Sequence, residues 1–203
     1  MSLQQCLCGS RYDPEVSADA ARHAERHDEW ANGVRVTRDP SDQIAARWNG
    51  TEVLLVSNAS PAGQRERAAR VALRAKLDTP FPTPAYTADD VDPEARVFLA
   101  RQGDRAVGLA VMRPRVRWGW WSWDDWDAER RPATPVAPLP SWTVELVWTL
   151  HTVQQQGLAK RLLDVVSQVV DCPISSFGWR RPFTPSGEAF VRRLCPEGFW
   201  VPD

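Results

Sequence analysis

The alternation of apolar and polar positions divides this chain into a short run of elements. Ile44 to Trp48 and Thr51 to Ser57 read as strands, and Asn49-Gly50 between them tolerates positive φ at both positions, a strong hairpin signal. Ser60 is placed to cap a helix from about Pro61 to Leu77, whose alanines and arginines favour helix. Asp78 to Asp92, rich in Pro, Thr and Asp, reads as a loop. A second hairpin follows, Arg96 to Arg101 and Arg105 to Val116, around Gly103-Asp104. Residues 117 to 141 are Trp-rich and then Pro-rich, and read as a long loop or extended strand ends. Thr143 to Leu150 carries apolar residues on both faces, as a central strand does. Gly157 to Val170 is a helix with the apolar stripe Leu158, Leu162, Val165, Val166 and Val169. Ile174 to Trp179 reads as a short strand, Ser186 to Leu194 as a helix, and Phe199 to Val201 as a last edge strand. This order predicts a mixed α/β domain.

Composition narrows the function classes. The 203 residues suffice for one domain with a small appendage, and the core needs no disulfide staples. The net charge of −1 produces no whole-molecule field toward nucleic acid or an anionic membrane. No apolar run reaches the length of a membrane span, and Met1 to Gln5 lacks the basic and apolar segments of a signal peptide. A cytoplasmic protein with reduced thiols is expected.

The first 32 residues form a separate pattern. Cys6 and Cys8 are followed by His23 and His27, and His23-Ala-Glu-Arg-His27 reads as helix, which puts both imidazoles on one face. Two thiols and two imidazoles are the donor set of a tetrahedral zinc site. The alternative is a pair of surface histidines above buried thiols. The expected division is a zinc-finger-like module at 1–32 and a larger domain at 33–203. Nucleic-acid binding through the finger is opposed by Glu25, Asp28 and Glu29 beside the histidines.

The most informative segment follows the central strand. Gln154-x-x-Gly157-x-Ala159 leads from strand to helix, and its small residues let a ligand approach unpaired backbone N–H groups at the positive end of the helix. This pattern resembles the acyl-CoA-binding loop of GNAT acetyltransferases. Cys8-Gly-Ser-Arg-Tyr12, His23-x-x-x-His27, Asn32-Gly-Val-Arg, Trp118-Gly119, Thr184-Pro-Ser-Gly187 and Cys195-Pro-Glu-Gly-Phe199 occur in the order of the sister-chromatid cohesion acetyltransferases, and the chain resembles a shortened member of that family.

The resemblance implies a GNAT fold, a mostly antiparallel central sheet flanked by helices, beside a small zinc-finger-like module. It implies acetyl-CoA along Val147, Trp148 and Thr149, with the pyrophosphate on Gln155, Gln156, Gly157, Leu158, Ala159 and Lys160 and further contact at Thr184, Pro185 and Ser186. It also puts Asp164 at the position of a functionally important acidic residue. The chain departs from the family in three places. The local sequence Arg180-Arg-Pro-Phe-Thr-Pro185 lacks the family's Asp, Glu145 stands where the family has Ser, and Cys6 and Cys8 are one residue closer than the family's cysteines.

The implied reaction moves acetyl from acetyl-CoA to an amine, in this family a protein lysine. Glu145, just before the cofactor segment, is a candidate general base for the acceptor amine, or a strand carboxylate in a salt bridge. Asp164, three residues after Arg161, reads as catalytic by family position or as an ion pair by spacing. Neither Tyr12 nor Tyr86 falls where a GNAT acid is expected. Trp118 to Trp126 with Asp124, Asp125 and Asp127 reads either as an amine-recognising wall or as packing. Arg180-Arg181 faces either the CoA phosphate or solvent. The competing functional reading is a non-catalytic acyl-CoA-binding or zinc-stabilised interaction module.

Overall fold

The computed structural model describes residues 3–79, 81–130 and 135–202, without the side chains of 117, 118 and 135–140. A two-stranded hairpin, β1 (Gln4–Gln5) and β2 (Arg11–Tyr12), precedes helix α1 (Ser17–Asn32). The main sheet has eight strands: β3 (Val34–Arg35), β4 (Gln43–Trp48), β5 (Thr51–Ser57), β6 (Arg96–Gln102), β7 (Arg105–Ser122), β8 (Pro135–Thr149), β9 (Gly178–Trp179) and β10 (Gly198–Pro202). Its order is β10-β9-β8-β7-β6-β5-β4, with β3 added on β7. Strands β4 to β8 pair antiparallel, and only β8–β9 and β9–β10 are parallel. Four further helices complete the fold: α2 (Ala62–Lys76), α3 (Trp123–Asp127), α4 (Leu158–Val169) and α5 (Pro185–Leu194).

Both hairpins form as the turn residues dictate, with positive φ at Asn49, Gly50 and Gly103. Val97 to Ala100 are all buried, so both faces of the sheet are covered. The strand register shows which helix covers which face. Trp148 pairs with Leu109, donates its indole N–H to Asp78 just after α2 (2.9 Å), and lies beside Arg74 of α2. Thr149 pairs with Gly108, and a Cβ on Gly108 would touch Leu158 of α4 at 3.4 Å. Alternation along β8 therefore directs Trp148 toward α2, and Val147 and Thr149 toward α4.

Several local expectations are corrected. Ser60 does not cap α2; its hydroxyl accepts the Ser57 N–H (3.0 Å) and closes the turn before the helix instead. In α4 the buried stripe includes Leu163, whereas Val169 is exposed in the last turn. Ile174 to Ser176 is a 3-10 turn, which leaves only Gly178–Trp179 as strand, because Pro173 and two serines favour a turn there. Strand β10 is paired on both β9 and β7, so it is not a simple edge. Of the two readings of 117 to 141, extended strand ends hold for the described residues: β7 runs to Ser122, α3 follows, and β8 starts at Pro135.

The tryptophan run is packing. Trp121 and Trp123 are buried, Trp126 lies against Phe183 and Phe199, and the Trp123 indole donates to the Cys195 carbonyl (2.7 Å). The Trp118 side chain falls outside the described residues. Arg181 is exposed to solvent, and its guanidinium lies over Trp121 and Trp126.

Helix α1 has no fully buried residue, and discrete contacts hold it. Arg105 donates to Asp28 (2.7 Å) and to the Gly33 carbonyl (2.9 Å). Gly33 has φ +87°, and a Cβ there would lie 2.3 Å from the Ala106 carbonyl oxygen. Gly33→Ala is therefore expected to destabilise the protein by about 3 kcal/mol, from left-handed strain plus overpacking, measured by urea denaturation.

Candidate active site and metal cluster

The sheet divides beside Glu145. The β8–β9 ladder consists of Thr143↔Gly178 and Val144↔Trp179, and ends where the Arg180 N–H donates to the Val144 carbonyl (3.1 Å). Among the described residues no strand pairs with the β9 side of 145–149. Glu145 itself is a bulge. Val111 pairs with Leu146 and Met112 with Val144, so Glu145 is the extra residue on β8. A bulge leaves its residue out of the ladder and redirects the side chain, a device common beside binding sites.

The redirected carboxylate is 5% exposed and accepts two charge-assisted hydrogen bonds, from Arg115 Nε (3.0 Å) and Arg180 Nη1 (2.9 Å). Both arginines are partly exposed, and Arg180 also lies over the Phe81 ring at 5.0 Å. They and Glu145 line an open groove of about 800 Å³ whose far wall is the 83–94 loop. Arg113 anchors that loop. It is buried, bonds to Asp90 and Asp92 (3.0 Å each), and also donates to the Ala85 carbonyl (3.3 Å). Burial opposes ionisation of Asp92, but the Arg113 guanidinium outweighs it and holds the carboxyl below its ordinary range. Asn58 and Arg65 add bonds to the Asp92 and Ala88 carbonyls.

Tyr86 is among the residues lining this same groove. It is 1% exposed, burial raises its phenol above the ordinary value, and its hydroxyl has no hydrogen-bond partner. The roles of Arg113 and Arg115 do not follow from the sequence pattern alone. Arg113-Pro-Arg115 in an otherwise apolar strand was the available signal.

Beyond Thr149 the chain makes a 3-10 turn, His151–Val153, then a loop with positive φ at Gln155 (62°) and Gly157 (79°), and enters α4. Gln154 donates to the Thr149 carbonyl and Gln156 to the Thr152 carbonyl, 3.2 Å each, so the loop is tied to its own base. No side chain caps α4, and a Cβ on Gly157 would meet nothing within 4 Å. The first N–H groups of α4, on Leu158, Ala159 and Lys160, are thus without a side-chain cap, as an anion-binding helix start requires. Asp164 pairs with Lys160 Nζ (2.9 and 3.0 Å), not with Arg161, and is not among the residues lining the Glu145 groove. At α5 the Thr184 hydroxyl accepts the Gly187 N–H (3.0 Å) as an N-cap and meets the Ser186 hydroxyl, with Pro185 in the first turn.

No protein-family profile matches the chain, and no curated protein does. Solved structures do. The xEco2 acetyltransferase domain superposes with a TM-score of 0.64 at 15% identity, over 82% of this chain and 98% of that one. The same domain bound to a CoA conjugate also gives 0.64 at 15% identity, over 80% and 98%. The fold is that of the GNAT acetyltransferases. In a GNAT fold at this identity, what the site does must be argued from its own residues.

Cys6, Cys8, His23 and His27 also come together, with one donor atom from each lying within 4.8 Å of the others. The β1–β2 turn presents the sulfurs: the Cys6 N–H donates to the Ser10 carbonyl and the Gly9 N–H to the Cys6 carbonyl, 2.9 Å each. Cys6 Sγ lies 3.1 Å from His27 Nδ1. His23 is stacked on Tyr12 at 3.7 Å, and its Nε2 is buried without a hydrogen-bond partner. Burial opposes ionisation of the Cys8 thiol, but hydrogen bonds from Ser10, His27 and Cys6 outweigh it and lower the thiol to about 6. A thiolate, an orphaned imidazole nitrogen and two more donors within a tetrahedron's span fit zinc.

Proposed function

We propose that this GNAT-fold protein is an acetyl-CoA-dependent N-acetyltransferase acting on an amine, with a protein lysine as the acceptor class. One observation carries the reading: the open strand edge of 145–149 leads, through the 3-10 turn and the 154–157 loop, to an uncapped helix N-terminus. Backbone groups of Val147, Trp148 and Thr149 suit the amide-bearing arm of acetyl-CoA, and residues Gln155 to Lys160 suit its pyrophosphate. Lys160, now paired with Asp164 one turn along α4, would have to leave that pair to reach the phosphate, and Thr184, Pro185 and Ser186 offer a further polar rim. The acetyl group then reaches the bulge, beside Glu145.

Glu145 would take the amine proton, directly or through one water, as the nitrogen attacks the thioester carbon. The C–S bond breaks, CoA leaves as thiolate, and the proton held by Glu145 returns to it through water. Asp90 and Asp92 on the groove wall are paired with Arg113, which leaves Glu94 as the wall carboxylate outside that network to favour a cationic acceptor. Zinc held by Cys6, Cys8, His23 and His27 would fix the module at 1–32 to the domain at 33–203. We place the protein in the cytoplasm; no helix among the described residues is long and apolar enough to cross a membrane.

Calorimetric titration of acetyl-CoA is the test. Binding in the micromolar range, weakened about a hundredfold or more by Gly157→Glu, is expected, because the carboxylate would enter the phosphate space and strain a left-handed residue. No binding by the wild-type protein would sink the proposal. Binding without turnover on any amine would favour a non-catalytic module, in keeping with the double engagement of Glu145.

A further inference from the structure

Helix α1 links the Cys/His cluster to the phosphate loop. His23, His27 and Trp30 recur at i, i+4 and i+7, so one stripe carries all three rings. His27 lies 5.4 Å from Trp30 between ring centroids, and Trp30 stacks on His151 at 4.3 Å with the planes 23° apart. His151 opens the 3-10 turn from which Gln154–Gly157 departs. A row of rings thus leads from the metal ligands to the base of the cofactor loop. Gln154 ties the loop to Thr149 at the end of β8 and Gln156 ties it to Thr152 in the 3-10 turn, so both bonds hold it from the strand that leads into it. Trp30 brings a contact from a separate element.

The same helix buries no residue completely. Its orientation depends on a few side-chain contacts: Asp28 with Arg105, Glu29 with Arg70 (3.1 Å), and the cluster. Two imidazoles bound to one ion would fix the rotation of α1 about its axis, which salt bridges on long, flexible arginines do poorly.

We infer that Trp30 and His151 are positioning residues for the acyl-CoA loop, and that metal binding at Cys6, Cys8, His23 and His27 tightens acyl-CoA binding through their stack. This rests on the acetyl-CoA and zinc readings above. His151 needs no polar role in it; what matters is a flat ring under Trp30.

The test uses the full chain with its metal and CoA as titrant. His151 is exposed, so His151→Ala folds, keeps its zinc, and weakens CoA binding about three- to tenfold, the worth of one aromatic pair. His151→Phe stays within about twofold of wild type, because the stack survives. Chelating the metal from the wild-type protein weakens binding by a similar factor, and chelation of His151→Ala adds little, since both act on one pathway. Amide exchange across 152–160 rises in parallel. Equal Kd values for His151→Ala and wild type overturn the inference. So does a His151→Phe as impaired as the alanine variant, which would mark a direct imidazole contact to the ligand. A wild-type affinity indifferent to metal overturns the coupling alone. A wild-type protein that binds no CoA overturns the acetyltransferase reading, and this inference with it.

Discussion

Glu145→Gln is expected to lower kcat/KM for amine acetylation about a hundredfold or more, the range of a lost general base. The substitution keeps the shape of the side chain and removes its capacity to accept a proton. It also has a structural cost, because Glu145 is buried and both of its oxygens accept from arginines. A glutamine would turn an NH2 donor toward Arg115 or Arg180, leaving a donor facing a donor at about 1–3 kcal/mol. The two effects separate by pH. If Glu145 removes the amine proton, the deficit narrows as pH rises toward about 10, where a lysine acceptor deprotonates unaided. A deficit constant with pH, matched by the loss in thermal stability, would make Glu145 a structural anchor. Arg115→Met is the companion. It frees one carboxylate oxygen, and it should lower acetylation less than Glu145→Gln if that oxygen is the one that works.

Parts of this site were legible in the sequence because they are local. Cys6 to His27 spans one hairpin and one helix, so spacing alone places the four donors. Gln154 to Ala159 is a single strand-to-helix passage, and small residues reveal a close backbone approach there. The two hairpins followed from Asn49-Gly50 and Gly103-Asp104. What spacing could not supply is the charge network. Arg115 and Arg180 lie 30 and 35 residues from the Glu145 they hold, and Arg113 lies 23 and 21 from Asp90 and Asp92. No periodicity pairs such positions; the sheet does. The bulge at Glu145 is equally invisible, because it is a mismatch between two strands and belongs to neither alone. Tyr86 fell in a Pro-rich stretch that reads as exposed loop, and three anchors from elsewhere, Asn58, Arg65 and Arg113, fold that stretch down over the core. The Ile174 to Ser176 turn was misread as strand for the opposite reason: an apolar start outweighed the proline before it.

Zinc removal has the largest expected effect on the N-terminal module. Structural zinc binds finger peptides with apparent free energies of about 10–16 kcal/mol, and that energy is folding energy where little else holds the fold. Here little else does: β1 and β2 are two residues each, α1 buries nothing completely, and Leu3 and Leu7 are exposed. Metal analysis of protein purified without chelator should give about one zinc per chain. Chelation should then unfold the first 32 residues, seen as loss of helical signal and rapid amide exchange over α1, while the main sheet keeps its protection. Cys8→Ser should reproduce this, and Cys172→Ser, far along the chain, should retain the metal. Protons compete with zinc for the Cys8 sulfur. Since that thiol sits at about 6, occupancy should hold at neutral pH and fall as pH drops through and below 6. Less than about 0.2 zinc per chain at pH 7.5 would refute the metal site. The Cys6–His27 and Tyr12–His23 contacts would then hold the module alongside Asp28–Arg105, Glu29–Arg70 and Trp30–His151, at about 1 kcal/mol each. That is too little to order 32 residues, each of which costs about 1–2 kcal/mol of backbone entropy to fix.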